Sequence, residues 1–126
     1  MTYPTEYRYT KDHEWIHVEG SKAKIGITDH AQSKLGDVVF VELPSVGSEL
    51  APGDALGTVE SVKAVGDVFA PLSGVVVEVN SALESTPDTI NKDPHGAGWI
   101  AVIEFTDPGQ LDGLMNAAAY ETFCNE

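Results

Sequence analysis

Leu56-Gly57-Thr58-Val59-Glu60-Ser61-Val62-Lys63-Ala64-Val65-Gly66-Asp67-Val68-Phe69-Ala70 decides how this chain folds. Two β-rich runs, Leu56 to Ser61 and Val65 to Ala70, flank a short connection that holds a single lysine. Valine, threonine and phenylalanine fit a pleated, half-buried surface, so the two runs are expected as strands joined in a hairpin. Gly53 lies ten residues before Lys63 and Gly74 eleven after it, which centres the lysine in a glycine-bounded unit. A lysine at the connecting turn projects its amine away from the sheet.

Outward from this hairpin the pattern stays β-rich. Val75 to Val79 predicts a further strand with Val75, Val77 and Val79 on one face. Val38-Val39-Phe40-Val41, bounded by Gly36-Asp37 and Pro44, is a continuous apolar run that predicts a well-buried strand. Glu14 to Val18 and Lys24 to Thr28 alternate in polarity around Gly20-Ser21, an opening hairpin. Asp29 is expected to cap a short helix over His30 to Leu35, with Gln32 at the reciprocal capping position and Gly36 as its left-handed terminator. Asn80 to Pro87 predicts a helical turn, Thr86-Pro87-Asp88 a second turn start, and Trp99 to Phe105 a last strand ended by Asp107-Pro108. Leu111, Leu114, Met115 and Ala117-Ala118-Ala119 make Gln110 to Phe123 good helix-forming material. Many short strands with few helices predict a mainly β sandwich or flattened barrel. A chain of 126 residues fits one domain, 1–126, with 107–126 as a C-terminal helical segment.

Composition narrows the function classes. Seven Lys and Arg against 20 Asp and Glu give a formal charge of -13, and the acids are scattered along the chain. Such a field repels nucleic acid and anionic lipid, so neither is an expected partner. It suits partners with basic docking surfaces, and solubility alone explains the same charge. The single cysteine, Cys124, excludes an intrachain disulfide; it is expected as a packing residue, with no cysteine-based metal site. No apolar run approaches membrane-spanning length, and Met1 to Arg8 has neither a signal-peptide core nor transit-peptide character, so the expected location is the bacterial-type cytoplasm.

Gly57-Thr58-Val59-Glu60-Ser61-Val62-Lys63-Ala64 resembles the lipoyl attachment motif of glycine cleavage system H proteins. The resemblance continues through His13-Glu14-Trp15, Gly26-Ile27-Thr28-Asp29-His30-Ala31-Gln32 and Val39-Phe40-Val41-Glu42-Leu43-Pro44. Pro71-Leu72-Ser73-Gly74, Glu78-Val79-Asn80 and Gly98-Trp99 carry it onward in the same order. It implies a lipoyl-domain-like fold, a barrel-sandwich hybrid, and a non-catalytic carrier that bears lipoate on Lys63 as N6-lipoyllysine. It further implies loading of an aminomethyl group by a pyridoxal-phosphate-dependent glycine decarboxylase and its transfer by an aminomethyltransferase. Reoxidation by a dihydrolipoyl dehydrogenase and prior modification by a lipoyl-attaching enzyme complete the implied partners. Glu60, three residues before Lys63, is a candidate for recognition by that attaching enzyme, or else a hairpin charge offsetting Lys63. Glu14 and Asp67 match positions implied in holding the cationic aminomethyl arm against the carrier surface.

The chemistry suits a lysine. An exposed amine is protonated at neutral pH, with a reference value near ~10.4, and becomes acylated only when an enzyme activates the acyl donor. Amide formation removes its charge, taking the formal value from -13 to -13 - 1 = -14.

Other readings compete for the same residues. His13-Glu14-Trp15-Ile16-His17 fits the H-E-x-x-H pattern of zinc peptidases, but β-favouring Trp15 and Ile16 and the turn at Gly20 argue against the helix that pattern needs. A biotin carrier is expected to flank its lysine with methionines and a dehydrogenase lipoyl domain to precede it with Asp, where Val62 and Ala64 stand here. A lipoate relay to other carriers stays open. His95, in Asp93-Pro94-His95-Gly96-Ala97-Gly98, reads as a surface loop histidine.

Overall fold

The computed structural model describes residues 3–124. Its opening strands are β1 (Arg8–Tyr9), β2 (Glu14–Glu19) and β3 (Lys22–Ile27), followed by helix α1 (Asp29–Leu35) and strand β4 (Val38–Glu42). Strands β5 (Glu49–Leu50), β6 (Ala55–Ser61), β7 (Val65–Phe69) and β8 (Gly74–Val79) fill the centre. Short helices α2 (Ala82–Ser85) and α3 (Thr89–Lys92) precede strand β9 (Ala101–Phe105), and helix α4 (Ala117–Cys124) ends the described chain.

The strands form a six-stranded sheet in the order β1-β2-β3-β9-β8-β5 and a three-stranded sheet in the order β4-β6-β7. All pairings are antiparallel. The expected sandwich of short strands is therefore present, but the sheets stay separate and do not close into a barrel. Ile16, Ile25, Leu56, Val59, Val76 and Ile103, drawn from both sheets, are buried in one cluster. Each buried aliphatic side chain of this size contributes roughly 1.5–3 kcal/mol.

A second cluster, Tyr9, Trp15, Ala117 and Tyr120, anchors the C-terminal helix. Tyr9 stacks on Tyr120 with centroids 4.8 Å apart, and Tyr9 exchanges backbone hydrogen bonds with Met115 at 2.8 and 2.9 Å. Trp15 faces Gly26 across β2 and β3, and a Cβ on Gly26 would meet its indole at 2.7 Å. Glycine is needed there because the ring occupies the space a side chain would take.

Several local expectations need correction. Val38 and Val41 are buried, but Val39 and Phe40 are 53% and 49% exposed. β4 is an edge strand with a register shift between Val38 and Phe40, so its apolar run is not covered on both faces. In β8 a similar shift between Val76 and Glu78 breaks simple alternation, and Val76 is the fully buried valine, with Val75 and Val77 only partly covered. Thr28, not Asp29, caps α1: its Oγ1 accepts from the Ala31 amide at 3.3 Å, while Asp29 Oδ1 accepts from the Gln32 side chain at 2.7 Å. The single expected helix over 110–123 is divided into a 3₁₀ turn at Pro108–Gly113 and α4, because Met115 is drawn into the bridge with Tyr9. The last two residues of the expected C-terminal segment lie outside the described residues. β1 and β5, two residues each, were too short to leave a periodic signal.

Candidate functional site

The β6–β7 connection is a tight turn over Ser61–Ala64. The Ser61 amide donates to the Ala64 carbonyl at 2.8 Å, and Ser61 Oγ accepts from the amides of Ala64 and Lys63 at 3.0 and 3.3 Å. A serine side chain that substitutes for backbone partners holds such a turn open at its tip. The Val62 amide donates to the Asp37 carbonyl at 3.0 Å, tying the turn to the segment between α1 and β4. Lys63, Val62 and Val65 are exposed. The Lys63 stem runs beside Gly36, which ends α1 at φ 83°; a Cβ there would stand 3.3 Å from Lys63 Cε.

Next to this tip lies a groove of about 360 Å³ between α1 and the three-stranded sheet. Ile27, Ala31, Leu35, Val59 and Val68 give it apolar walls, and Asp12 and Asp67 give it carboxylates. Lys34, His13 and His30 also face it.

The sequence-derived site residues fall into different places. Lys63 stands at the turn tip, and Asp67 lies opposite Thr58 on β7, in the groove wall. Glu60 is half-buried on β6, between Phe40 and Val65 in register. It forms no ion pair with Lys63; the ion pairs among the described residues are His17–Glu19 and Lys92–Asp88.

Glu14 is only 2% exposed and does not line the groove. Its Oε1 accepts from Thr10 Oγ1 at 2.8 Å and its Oε2 from the Phe69 amide at 3.0 Å. Burial pushes this carboxyl up to about 7, against the two hydrogen bonds that favour its charged form. Its neighbours in sequence and in space, His13 and Val68, do line the groove.

The H-E-x-x-H residues lie at the start of and along strand β2, and the two histidines part company. His13, at φ 65°, bonds Tyr120 through Nδ1 at 2.7 Å, whereas His17 stacks on Tyr7 and faces Glu19. His95 is not a free surface residue: its Nε2 accepts from the Asp29 amide at 3.0 Å, at the start of α1. Burial lowers its basicity, in keeping with an acceptor that must stay neutral.

Sequence reasoning missed the α1 wall of the groove. Ala31 and Leu35, like His30 and Lys34, are four residues apart and share a helix face, so the spacing was visible; what the face opposed was not.

A two-sheet β domain that displays one exposed lysine at a hairpin tip, beside an apolar groove with an acidic rim, defines a class of small lysine-presenting domains. Within that class the chain belongs to the glycine cleavage H-protein family: the profile described as Glycine cleavage H-protein matches residues 7–126. It is 55% identical to the Glycine cleavage system H protein of Symbiobacterium thermophilum, over 98% of this chain and 96% of that one. It is also 55% identical to that of Koribacter versatilis, over 100% and 97% of the two chains. The crystal structure of a glycine cleavage system H protein from Mycobacterium marinum superposes with a TM-score of 0.89 at 41% identity, covering 98% of this chain and 100% of that one.

Proposed function

We propose that this chain is a non-enzymatic carrier, a single domain over residues 1–126 with 107–126 as its C-terminal helical segment, that bears lipoate as an amide on Lys63. The observation that carries the reading is the pairing of an exposed, turn-tip amine with a groove suited to its modified form. Lipoate, when attached, supplies a strained disulfide able to accept a carbon fragment and two electrons by exchange. The remaining work belongs to the protein's own side chains. Ser61 and Gly36 hold the lysine clear of the sheet, and Ile27, Ala31, Leu35, Val59 and Val68 offer an apolar bed to a long acyl arm. Asp67 in the groove supplies negative charge for an arm that ends in a cation, and that cation, once seated, favours the charged form of Glu14 buried behind it.

Family membership supports the rest of the assignment: an aminomethyl group of glycine received from glycine decarboxylase, delivered to aminomethyltransferase, and the carrier reset by dihydrolipoyl dehydrogenase. Glu60, beside the turn and unpaired with Lys63, is assigned to recognition by the lipoyl-attaching enzyme. The relatives named above are bacterial, and the reading puts this carrier in the cytoplasm with those enzymes; among the described residues no helix is long and apolar enough to cross a membrane.

Intact mass and a peptide map of protein made in lipoate-replete cells test the central claim. A lipoyl increment on the peptide containing Lys63, absent in Lys63→Arg, is expected. An unmodified lysine in the presence of a competent ligase would overturn it.

A further inference from the structure

Three potential metal ligands meet at the C-terminal helix. His13 comes from the turn between β1 and β2, His30 from the first turn of α1, and Cys124 from the end of α4, and one donor atom from each lies within 4.8 Å of the others. All three are half-buried, and among the described residues this is the cluster of His, Cys, Asp and Glu close enough to hold an ion. The two imidazoles lie with centroids 4.5 Å apart. Against the sequence expectation that Cys124 takes part in no metal site, we infer that His13, His30 and Cys124 bind a thiophilic divalent ion of the Zn²⁺ type.

The geometry and chemistry support a built site. In a tetrahedral centre with Zn–N about 2.0–2.1 Å and Zn–S about 2.3 Å, ligand atoms stand roughly 3.3–3.8 Å apart. The donor atoms of the present cluster, all within 4.8 Å of one another, stand at most about 1 Å beyond that spacing. His13 is already oriented: its Nδ1 bonds Tyr120 Oη at 2.7 Å, and that oxygen meets Thr28 Oγ1 at 2.7 Å. The Tyr120 hydroxyl on Nδ1 fixes the ring and leaves Nε2 for the metal. Two imidazoles with one thiolate favour Zn²⁺ over Mg²⁺ or Ca²⁺, which take oxygen ligands. Binding forms the metal–sulfur bond and releases the thiol proton to solvent. The fourth position is left for water or for a ligand entering from the groove that His13 and His30 also line. Because the donors come from three elements, the ion ties α4 to α1 and to the first turn. Lysine lipoylation plays no part in this inference.

The test uses the full chain, reduced and freed of metal by chelation. Zn²⁺ is expected to bind with one equivalent and to raise Tm, and Co²⁺ to give a thiolate-to-metal absorption band with tetrahedral visible bands. Cys124→Ser should abolish the thiolate band, and both Cys124→Ser and His30→Gln should weaken Zn²⁺ binding at least tenfold while unfolding like wild type in chelator. Should either variant fail to fold, alkylation of Cys124 in the wild type decides: Zn²⁺ is expected to slow it at least tenfold. A Co²⁺ complex without a thiolate band, Zn²⁺ affinity indifferent to Cys124→Ser, or alkylation at the same rate with and without Zn²⁺ overturns the site.

Discussion

The side chain of Lys63 lies against Gly36, so close that a Cβ on that glycine would stand 3.3 Å from Lys63 Cε. The residue that ends α1 thus also sets the space in which the turn-tip lysine moves.

Gly36→Ala is expected to cost about 1 kcal/mol of stability, because φ 83° suits glycine and strains an alanine. The far end of a lysine yields easily to a methyl group, so lipoylation should slow without stopping. Urea unfolding and a ligase time course measure the two effects; unchanged stability would remove the conformational argument.

Glu14 makes stability depend on pH. Its carboxyl is raised from 4.5 to about 7, so between those values the folded chain retains a proton that the unfolded chain releases. Its contribution is full below pH 4.5 and is lost as pH rises through about 7, a change of up to about 3 kcal/mol. Glu14→Gln, compared with wild type by urea midpoints in chelator from pH 4.5 to 8, should flatten that part of the curve. Parallel curves would show that Glu14 is ordinary.

A cation seated in the groove should also draw on the buried Glu14 carboxyl by favouring its charged form. Glu14→Ala and Asp67→Asn are expected to shorten the lifetime of the aminomethylated carrier severalfold while loading is unchanged, followed by ammonia release. Equal lifetimes in all three proteins would sink the docking roles.

Glu60→Gln should slow lipoylation of Lys63 at least tenfold and leave stability within about 0.5 kcal/mol, since Glu60 makes no ion pair among the described residues. Mass spectrometry of the ligase reaction reads the rate. Wild-type kinetics would return Glu60 to the role of a solvated strand residue.

Gly26→Ala is the corresponding test of the second core. A methyl group 2.7 Å from the Trp15 indole forces the ring or the strand to move, for a loss of about 1–3 kcal/mol. The denaturation midpoint and tryptophan emission should change together; a midpoint like the wild type's would mean the indole gives way freely.

Local chemistry made much of this molecule readable. The β-branched runs around Lys63, the turn residues and the Gly36 terminator are all short-range signals, and the hairpin, α1 and most strands lie where those residues predict. The readings that failed depended on what faced the segment. A valine-rich edge strand resembles a buried one until its missing neighbour is known, and the C-terminal helix was divided by a pairing between Tyr9 and Met115 more than a hundred residues apart.

The sequence by itself determined a small mainly β chain with one lysine at a hairpin tip and, through its ordered motifs, the family. Only the tertiary structure decided that Asp67 faces a groove while Glu14 is buried at its edge, and that His13, His30 and Cys124 meet. The physical reason is range: strand periodicity and turn chemistry act over a few residues, whereas burial and donor convergence depend on which distant elements pack together.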